Sequence, residues 1–340
     1  MNVSVAAVII VIVSFGLSMV LTPLAGELGR KLGLIDRPRD HELQVKTIPR
    51  SGGYALLASF LIAVVASLLL LPRAPDELQR IAGLVLGILL IVPIAVIDDF
   101  RRLGPLPQLL GQIAVAVVAM AFGLVITNVA NPLGGLIVLP MIIAVPFTLV
   151  WVVGMINTMN FIDTMDGLAA GITAIAGAVL FVRSFSLGQY TISLLPLALT
   201  GICLGFLRFN FNPARIIMGT SGSMFLGFTL SILALIGGAK IATAAFVLGL
   251  PIIDALMVIV QRGARHRSPF IGGDGAHLPH RLVARGLSTR RIALLIYGIC
   301  ATGGMAAMTL NGVQKLTVMV LAAAVATGLA VRLAATRPAD

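Results

Sequence analysis

The chain has 340 residues, of which 59% are hydrophobic and only 11% are charged, with a formal net charge of +11. A soluble domain carries about a quarter charged residues, and one core could not hide this much apolar surface. The composition therefore excludes an ordinary soluble fold and predicts a polytopic membrane protein. The two cysteines, Cys203 and Cys300, both sit in apolar runs and indicate neither a disulfide framework nor a zinc site.

Apolar runs recur along the whole sequence, and each is long enough to cross a membrane. We count eleven, at about residues 3–24, 53–72, 81–97, 107–127, 136–155, 165–182, 188–207, 223–238, 241–260, 292–310 and 314–331. No basic segment precedes the first run, which favours a membrane span over a cleaved signal peptide. We expect one all-α domain over residues 1–340, a bundle of about eleven transmembrane helices.

The charges between these runs predict the orientation. Of the 24 Lys and Arg residues, 19 lie in or beside alternate loops, and only Asp76 and Glu77 of the acidic residues lie in the other loops. The basic set comprises about residues 25–52, 98–106, 156–164, 208–222 and 261–291, with the C-terminal tail. The positive-inside rule makes this set cytoplasmic, with the N-terminus outside and the C-terminus inside. The positive net charge then reflects the orientation in the membrane, so nucleic acid is not an expected partner. The concentration of polar residues at one face argues against a transporter, which would place them near the middle of the membrane.

Two acidic clusters fall on this predicted cytoplasmic face. In "IDDFRR", Asp98 and Asp99 end the third run. Arg101 and Arg102 could simply neutralise them. Alternatively, the two carboxylates hold Mg²⁺ or accept a proton. The second cluster, "NTMNFIDTMDG", places its polar side chains at three-residue steps without a basic residue in the loop, and comprises Asn157, Asn160, Asp163 and Asp166. Capping of the sixth helix explains only one Asp. Converging oxygen ligands favour a hard cation or polar substrate groups.

Two further stretches can bind anions. In "MGTSGSMFLG", Gly219 and Ser221 open the eighth run, where free backbone N–H groups suit a phosphate, although capping and close packing explain them equally well. In the last long basic loop, His277, His280 and Arg281 lie near Asp274. This group is a weak zinc site and a better anion clamp, and contact with lipid headgroups is the alternative. All four stretches together predict transfer of a phosphorylated group from a soluble donor to a membrane lipid around Mg²⁺.

In this order the motifs resemble those of the polyprenyl-phosphate N-acetylhexosamine-1-phosphate transferases, from "GLID.P" at 33–38 to "HLPHRL...GLS" at 277–288. The resemblance implies a multi-pass enzyme of the inner or plasma membrane with a cytoplasmic active site. Its substrates would be a UDP-N-acetylhexosamine and polyprenyl phosphate. Its products would be UMP and a lipid-diphosphate-sugar that starts a cell-envelope polysaccharide. Mg²⁺ is the implied cofactor, with Mn²⁺ as a substitute, and a homodimer is left open.

The resemblance also implies roles for single residues. Asp98, Asp99 and Asp163 would be catalytic, with the first two at the lipid phosphate. Asn160 and Asp163 would hold the metal. The substrate-binding set would comprise Asn157, Asp166, Gly219, Ser221, His277, His280 and Arg281, with Asp166 at the uracil and His280 and Arg281 near the diphosphate. Asp254 matches the family's "PxxD" motif.

Several positions depart from the family pattern. Thr220 stands where the family has an aspartate that binds Mg²⁺, Gln108 stands where a lysine is common, Pro279 replaces a histidine and Thr164 replaces a glycine. In the first inner loop, residues His41, Glu42, Gln44 and Thr47 replace the usual Arg, Lys, His and Pro. These departures leave an alternative hypothesis, in which a catalytically degenerate family member binds lipid phosphate or a protein partner.

Overall fold

A computed structural model describes residues 2–36, 47–101, 103–131, 133–236, 240–263 and 277–318, together with residues 320, 321, 324 and 328. Some residues named above lie outside these ranges, namely Pro38, His41, Glu42, Gln44, Arg102 and Asp274.

Helices make up most of the described chain, which confirms the predicted all-α class. They are α1 (Val3–Lys31), α2 (Gly52–Leu70), α3 (Pro75–Arg101), α4 (Pro105–Ala121), α5 (Met141–Ile162), α6 (Leu168–Ser186), α7 (Tyr190–Asn210), α8 (Gly219–Leu233), α9 (Ile241–Val247), α10 (Gly249–Gly263), α11 (Leu278–Ala284) and α12 (Thr289–Thr309). Two short antiparallel hairpins join β1 (Ile35–Asp36) to β2 (Ile48–Pro49) and β3 (Asn128–Ala130) to β4 (Leu136–Val138).

Seven of the described helices are long and apolar enough to cross a membrane, namely α1, α2, α3, α5, α6, α7 and α12. The pair α9 and α10 makes an eighth if it is counted as one span, and α4 and α8 are shorter apolar helices. These helices confirm a polytopic helical membrane protein. The eleventh predicted run, at about 314–331, lies partly outside the described residues.

The predicted span at about 241–260 is broken, because the chain bends by 77° between α9 and α10. Pro251 lies in the first turn of α10. Proline has no N–H to donate to the carbonyl four residues earlier, so a continuous helix through Leu248 would lose a hydrogen bond. The run at about 241–260 is apolar on both sides of the bend, so its hydropathy does not reveal the break.

Helix α8 is the centre of the bundle, and all fifteen of its residues are buried. Glycines bring its neighbours close: Gly87 of α3 lies against the Phe228 ring, and Gly227 lies against the backbone of α5 at Ile156. Helices α1 and α5 instead leave many large apolar side chains exposed, as lipid-facing helices do. The start of α8 is therefore held among α2, α3 and α5, whose ends carry the predicted site residues.

Candidate functional site

The first inner loop is tied by its backbone to the start of α8. Beyond the β1–β2 hairpin, Gly52 N–H donates to Ile217 O and Gly53 N–H donates to Met218 O, while Ile217 N–H donates back to Pro49 O. Gly53 packs so closely on Gly222 that a Cβ at either position would collide with the other residue. These contacts fix the segment between β2 and α2 against the N-terminus of α8.

Arg50 lies in this fixed segment and links two of the predicted motifs. Its Nη2 donates a hydrogen bond of 2.8 Å to Thr220 Oγ1, and its Nε lies 3.7 Å from Asp99 Oδ1. The Asp99 side chain is only 1% exposed, whereas that of Arg50 is 27% exposed. Arg50 is not among the predicted site residues, because it lies in a loop that is distant in the sequence from both acidic motifs.

Two residues at the start of α8 have structural reasons for their identity. Gly219 has φ of +69°, and a Cβ there would lie 2.9 Å from Arg50 Cγ, so only glycine fits without strain. Ser221 is fully buried, and its hydroxyl donates to Met218 O at 3.3 Å. Its role as a phosphate ligand remains a prediction, and in this arrangement its hydroxyl supports the turn.

The paired aspartates at the end of α3 face different partners. Asp99 Oδ2 accepts a 2.6 Å hydrogen bond from the Tyr54 hydroxyl, whereas Asp98 Oδ1 accepts from Leu103 N–H at 2.9 Å and from Gln108 Nε2 at 2.7 Å. Asp98 therefore holds the turn between α3 and α4, and the buried Asp99 side chain contacts Tyr54 and Arg50. Among the described residues, the cation paired with Asp99 is Arg50.

The second acidic cluster begins inside a helix, so the predicted loop at 156–164 is wrong for its first part. Helix α5 continues to Ile162, because its apolar positions pack against α8 and hold the polar turn in helical form. Asn160 Oδ1 accepts a 2.9 Å hydrogen bond from the Ser223 hydroxyl, and Asn157 Nδ2 donates to Gln112 Oε1 at 2.6 Å. Asn160 thus faces α8, and Asn157 faces α4.

Asp163 occupies the C-cap position of α5, and its carboxylate has fewer hydrogen-bond partners than that of Asp166. No side chain or backbone group of the described residues donates a hydrogen bond to its oxygens. Burial raises the pKa of Asp163 to about 7, the positive charge of Arg50 opposes the rise, and the charge of Asp166 adds to it. A desolvated carboxylate without donors is suited to bind a cation.

Asp166 organises the neighbouring turn. Its Oδ2 accepts hydrogen bonds from Asn212 Nδ2 at 2.9 Å and from Ala214 N–H at 3.0 Å. The interpretation that Asp163 or Asp166 caps α6 is wrong, because Gly167 occupies the N-cap position with φ of +78° and no side-chain cap is present.

The histidine motif is anchored by Asp254 of α10. His277 Nδ1 lies 2.8 Å from Asp254 Oδ2, and Leu278 N–H donates to Asp254 Oδ1 at 2.8 Å. The His277 ring packs against Phe161 of α5, with 5.6 Å between ring centroids. Asp254 thus fixes the start of α11 beside the end of α5. The contact there is made by Phe161, two positions before Asp163 in the sequence.

His280 and Arg281 differ in the charge that they can offer. Burial, and then the charge of His277, lower the pKa of His280, so its ring stays neutral to a lower pH than a free histidine. Arg281 donates from Nη2 to Gln261 Oε1 at 2.8 Å. An anion clamp here would depend chiefly on Arg281, and the role of both residues remains a prediction.

Arg50 contacts two of the four motifs, at Asp99 and at Thr220, and its charge also lowers the pKa of Asp163 in a third. The fourth motif reaches them through the contact between Phe161 and His277. In the described ranges, no group of three or more His, Cys, Asp or Glu side chains could hold a metal. The oxygens of Asp163 and Asn160 nevertheless fit Mg²⁺, which commonly takes one or two carboxylates and completes its shell with water and substrate phosphates.

Comparison with known proteins gave consistent matches. The model of glycosyl transferase family 4 matches residues 81–238, which include the first two acidic motifs and the start of α8. A probable undecaprenyl-phosphate N-acetylglucosaminyl 1-phosphate transferase of Bacillus subtilis is 33% identical, over 85% of this chain and 81% of its own length. A decaprenyl-phosphate N-acetylglucosaminephosphotransferase of Mycobacterium leprae is 33% identical, over 91% and 85%. A phospho-N-acetylmuramoyl-pentapeptide-transferase of Staphylococcus carnosus is 29% identical, over 74% and 83%.

Proposed function

The chain belongs to glycosyl transferase family 4, and we propose that it transfers an N-acetylhexosamine-1-phosphate from a UDP-sugar to a polyprenyl phosphate. It is a membrane-embedded sugar-1-phosphate transferase. The observation that carries this proposal is the contact of Arg50 with both Asp99 and Thr220, beside the contact of Ser223 with Asn160. The product would be a lipid-diphosphate-sugar for cell-envelope polysaccharide synthesis.

The reaction joins two phosphate groups, so charge is its main difficulty. An oxygen of polyprenyl phosphate bonds to the sugar-proximal phosphorus of the UDP-sugar, the bond from that phosphorus to the UMP oxygen breaks, and UMP leaves with the electron pair. Asp99 Oδ1 accepts no hydrogen bond from the described residues and lies 3.7 Å from Arg50 Nε, and in this proposal it takes the proton of the acceptor phosphate. Asp98 holds the turn behind it.

Asp163 and Asn160 would hold Mg²⁺ or Mn²⁺. When bound, the metal would neutralise charge on the diphosphate and on the departing UMP. The Ser223 hydroxyl orients the Asn160 amide through its 2.9 Å hydrogen bond. When ionised, the carboxylate of Asp163 provides the one negative charge of this ligand pair.

The positions of the basic residues support a reaction centre on the cytoplasmic face of the inner or plasma membrane. The motifs lie at the ends of α3 and α5 and at the start of α8, the end of the bundle next to the basic loops. UDP-N-acetylglucosamine is the first donor to test, because several relatives carry N-acetylglucosamine in their names. Their names as transferases also favour an enzyme over the catalytically degenerate alternative.

The proposal is tested by identifying the lipid product. Purified protein in detergent would receive undecaprenyl phosphate, Mg²⁺ and either UDP-N-acetylglucosamine or UDP-N-acetylgalactosamine, and the lipid fraction would be analysed by mass spectrometry. We expect a lipid-diphosphate-N-acetylhexosamine with one of the donors. Lipid that stays unmodified with both donors, beside an active relative from the family, would contradict the proposed function.

A further inference from the structure

We propose that Arg50 binds the phosphate group under attack and thereby joins the acceptor side of the site to the donor side. This inference rests on the proposed function. It adds to that function a phosphate-binding residue outside the four sequence motifs. The residue is contributed by the segment between β2 and α2.

The backbone around Arg50 is fixed before any substrate arrives. Arg50 N–H donates to Leu34 O at 2.9 Å, and the nearby residues Pro49 and Gly52 both hydrogen-bond to Ile217, just before α8. Gly219 leaves room for the Arg50 side chain to pass. A side chain that leaves a rigid backbone in a fixed direction can meet a developing charge without reorganisation.

The guanidinium keeps most of its donors available. An arginine has five N–H groups, and among the described residues only Thr220 Oγ1 accepts one of them at hydrogen-bond distance. The approach to Asp99 Oδ1, at 3.7 Å, is an ion pair without a hydrogen bond. Since the side chain is 27% exposed, the remaining donors can form the paired hydrogen bonds by which arginine binds phosphate.

The neighbours of Arg50 place it at the reacting phosphorus. Its Nε lies 3.7 Å from Asp99, the residue expected at the acceptor phosphate, and its Nη2 bonds to Thr220. The Ser223 hydroxyl, which lies 3.3 Å from Thr220 O, bonds to Asn160, an expected metal ligand at the donor diphosphate. The negative charge on the transferred group is shared between both sides in the transition state. A cation at this position would stabilise the transition state more than either bound substrate, and it would therefore act on kcat.

The test compares Arg50→Gln, Arg50→Lys and Arg30→Gln with the wild type. Arg30 is an exposed residue at the end of α1 whose side chain forms no hydrogen bond or ion pair with a described residue, so its substitution removes the same charge from the same end of the bundle. UMP release gives kcat and the KM for each substrate, and thermal unfolding in detergent reports the fold. Wild-type turnover is measured first, so that failure of the proposed function shows as no release from wild type.

With an active wild type, we expect Arg50→Gln to lower kcat by about 10²–10³-fold, the usual loss for one contact to a developing oxyanion. Each KM should change much less, because the contact acts in the transition state. Arg50→Lys should recover part of kcat, since lysine keeps the charge without the planar fork, and Arg30→Gln should match wild type. The inference is overturned if folded Arg50→Gln keeps wild-type kcat or loses only KM. It is also overturned if both Arg50 variants unfold, since Arg50 would then be structural.

Discussion

Arg50 Nη2 donates a hydrogen bond of 2.8 Å to Thr220 Oγ1, across 170 positions of the sequence. Thr220 stands where the family pattern has an aspartate that binds Mg²⁺. Because threonine is neutral, the hydrogen bond holds the guanidinium in place without cancelling its charge. The site therefore combines one bare carboxylate, Asp163, with one fixed and partly exposed cation.

Gly219→Ala should reduce turnover strongly. The new Cβ would lie 2.9 Å from Arg50 Cγ and from Arg50 O, and φ of +69° disfavours any side chain. Gly188→Ala is the matched control, because Gly188 has φ of +73° and a Cβ there would meet nothing within 4 Å. Both variants should lose about 1–2 kcal/mol of stability from the backbone. Initial rates of UMP release that fall equally in the two variants would show that displacement of Arg50 is not the cause.

Ser223→Ala should weaken metal binding while leaving the fold intact. Ser223 is buried and orients the Asn160 amide, and loss of such a supporting group commonly costs about 10–100-fold in metal affinity. The control is Ser231→Ala in the same helix, whose buried hydroxyl donates only to Phe228 O. The measurement is the Mg²⁺ concentration that gives half-maximal UMP release. Equal values in the two variants would remove Asn160 from the metal site.

The pH dependence of metal affinity should follow Asp163. Burial raises the pKa of Asp163 to about 7, and only the carboxylate binds a cation. Mg²⁺ affinity should therefore rise about tenfold per pH unit below pH 7 and level off above it. Isothermal titration with Mg²⁺ in detergent, from pH 5.5 to pH 8.5, would measure it. An affinity that does not change below pH 7 would contradict the assignment.

The same pKa shift has a consequence for stability. Between the ordinary aspartate pKa of about 4 and the raised value, the folded chain binds more protons at Asp163 than the unfolded chain does. This contribution to stability is therefore present at low pH and is lost as the pH rises through 7. Asp163→Asn lacks it, so its unfolding temperature relative to wild type should be higher at pH 8 than at pH 5. No change in that difference would contradict the prediction.

The orientation in the membrane can be tested with single cysteines. Cys203 and Cys300 are buried, so background labelling should be low. Ser186, at the end of α6 predicted to lie outside, and Arg285, after α11 at the end predicted to lie inside, are both exposed. An impermeant thiol reagent on intact cells should label Ser186→Cys and not Arg285→Cys. The reverse labelling pattern would place the site on the outer face.

Much of the fold was predictable, because the apolar runs and the membrane together leave helices as the main choice for the backbone. The positions where helices bend or end were harder to predict from the sequence. Hydropathy does not register the bend between α9 and α10 or the extension of α5 through Asn157 and Asn160, since both depend on packing against neighbouring helices. The acidic motifs were identified from spacing alone, because oxygen ligands without cations are unusual in a sequence this apolar.

The partner of the acidic motifs could not be predicted from the motifs themselves. Arg50 reaches Asp99 and Thr220 only because backbone hydrogen bonds dock the first inner loop on Ile217 and Met218, contacts that no local pattern encodes. The close approach of Gly53 to Gly222 was a usable signal, since paired small residues indicate where backbones meet. Asp98 shows the same limit, because its neighbour Asp99 contacts Tyr54 and Arg50 while Asp98 accepts a hydrogen bond from Gln108.

The most direct test of the account is UMP release by wild type and by Asp163→Asn, each with undecaprenyl phosphate, UDP-N-acetylglucosamine and Mg²⁺, and with each component omitted in turn. We predict that wild type releases UMP only when lipid, donor and metal are all present. The folded variant should be slower by about 10²–10³-fold, because it lacks the charged ligand. Wild-type release without lipid or metal, or equal release by the variant, would contradict a reaction centre built around Asp163 and Arg50.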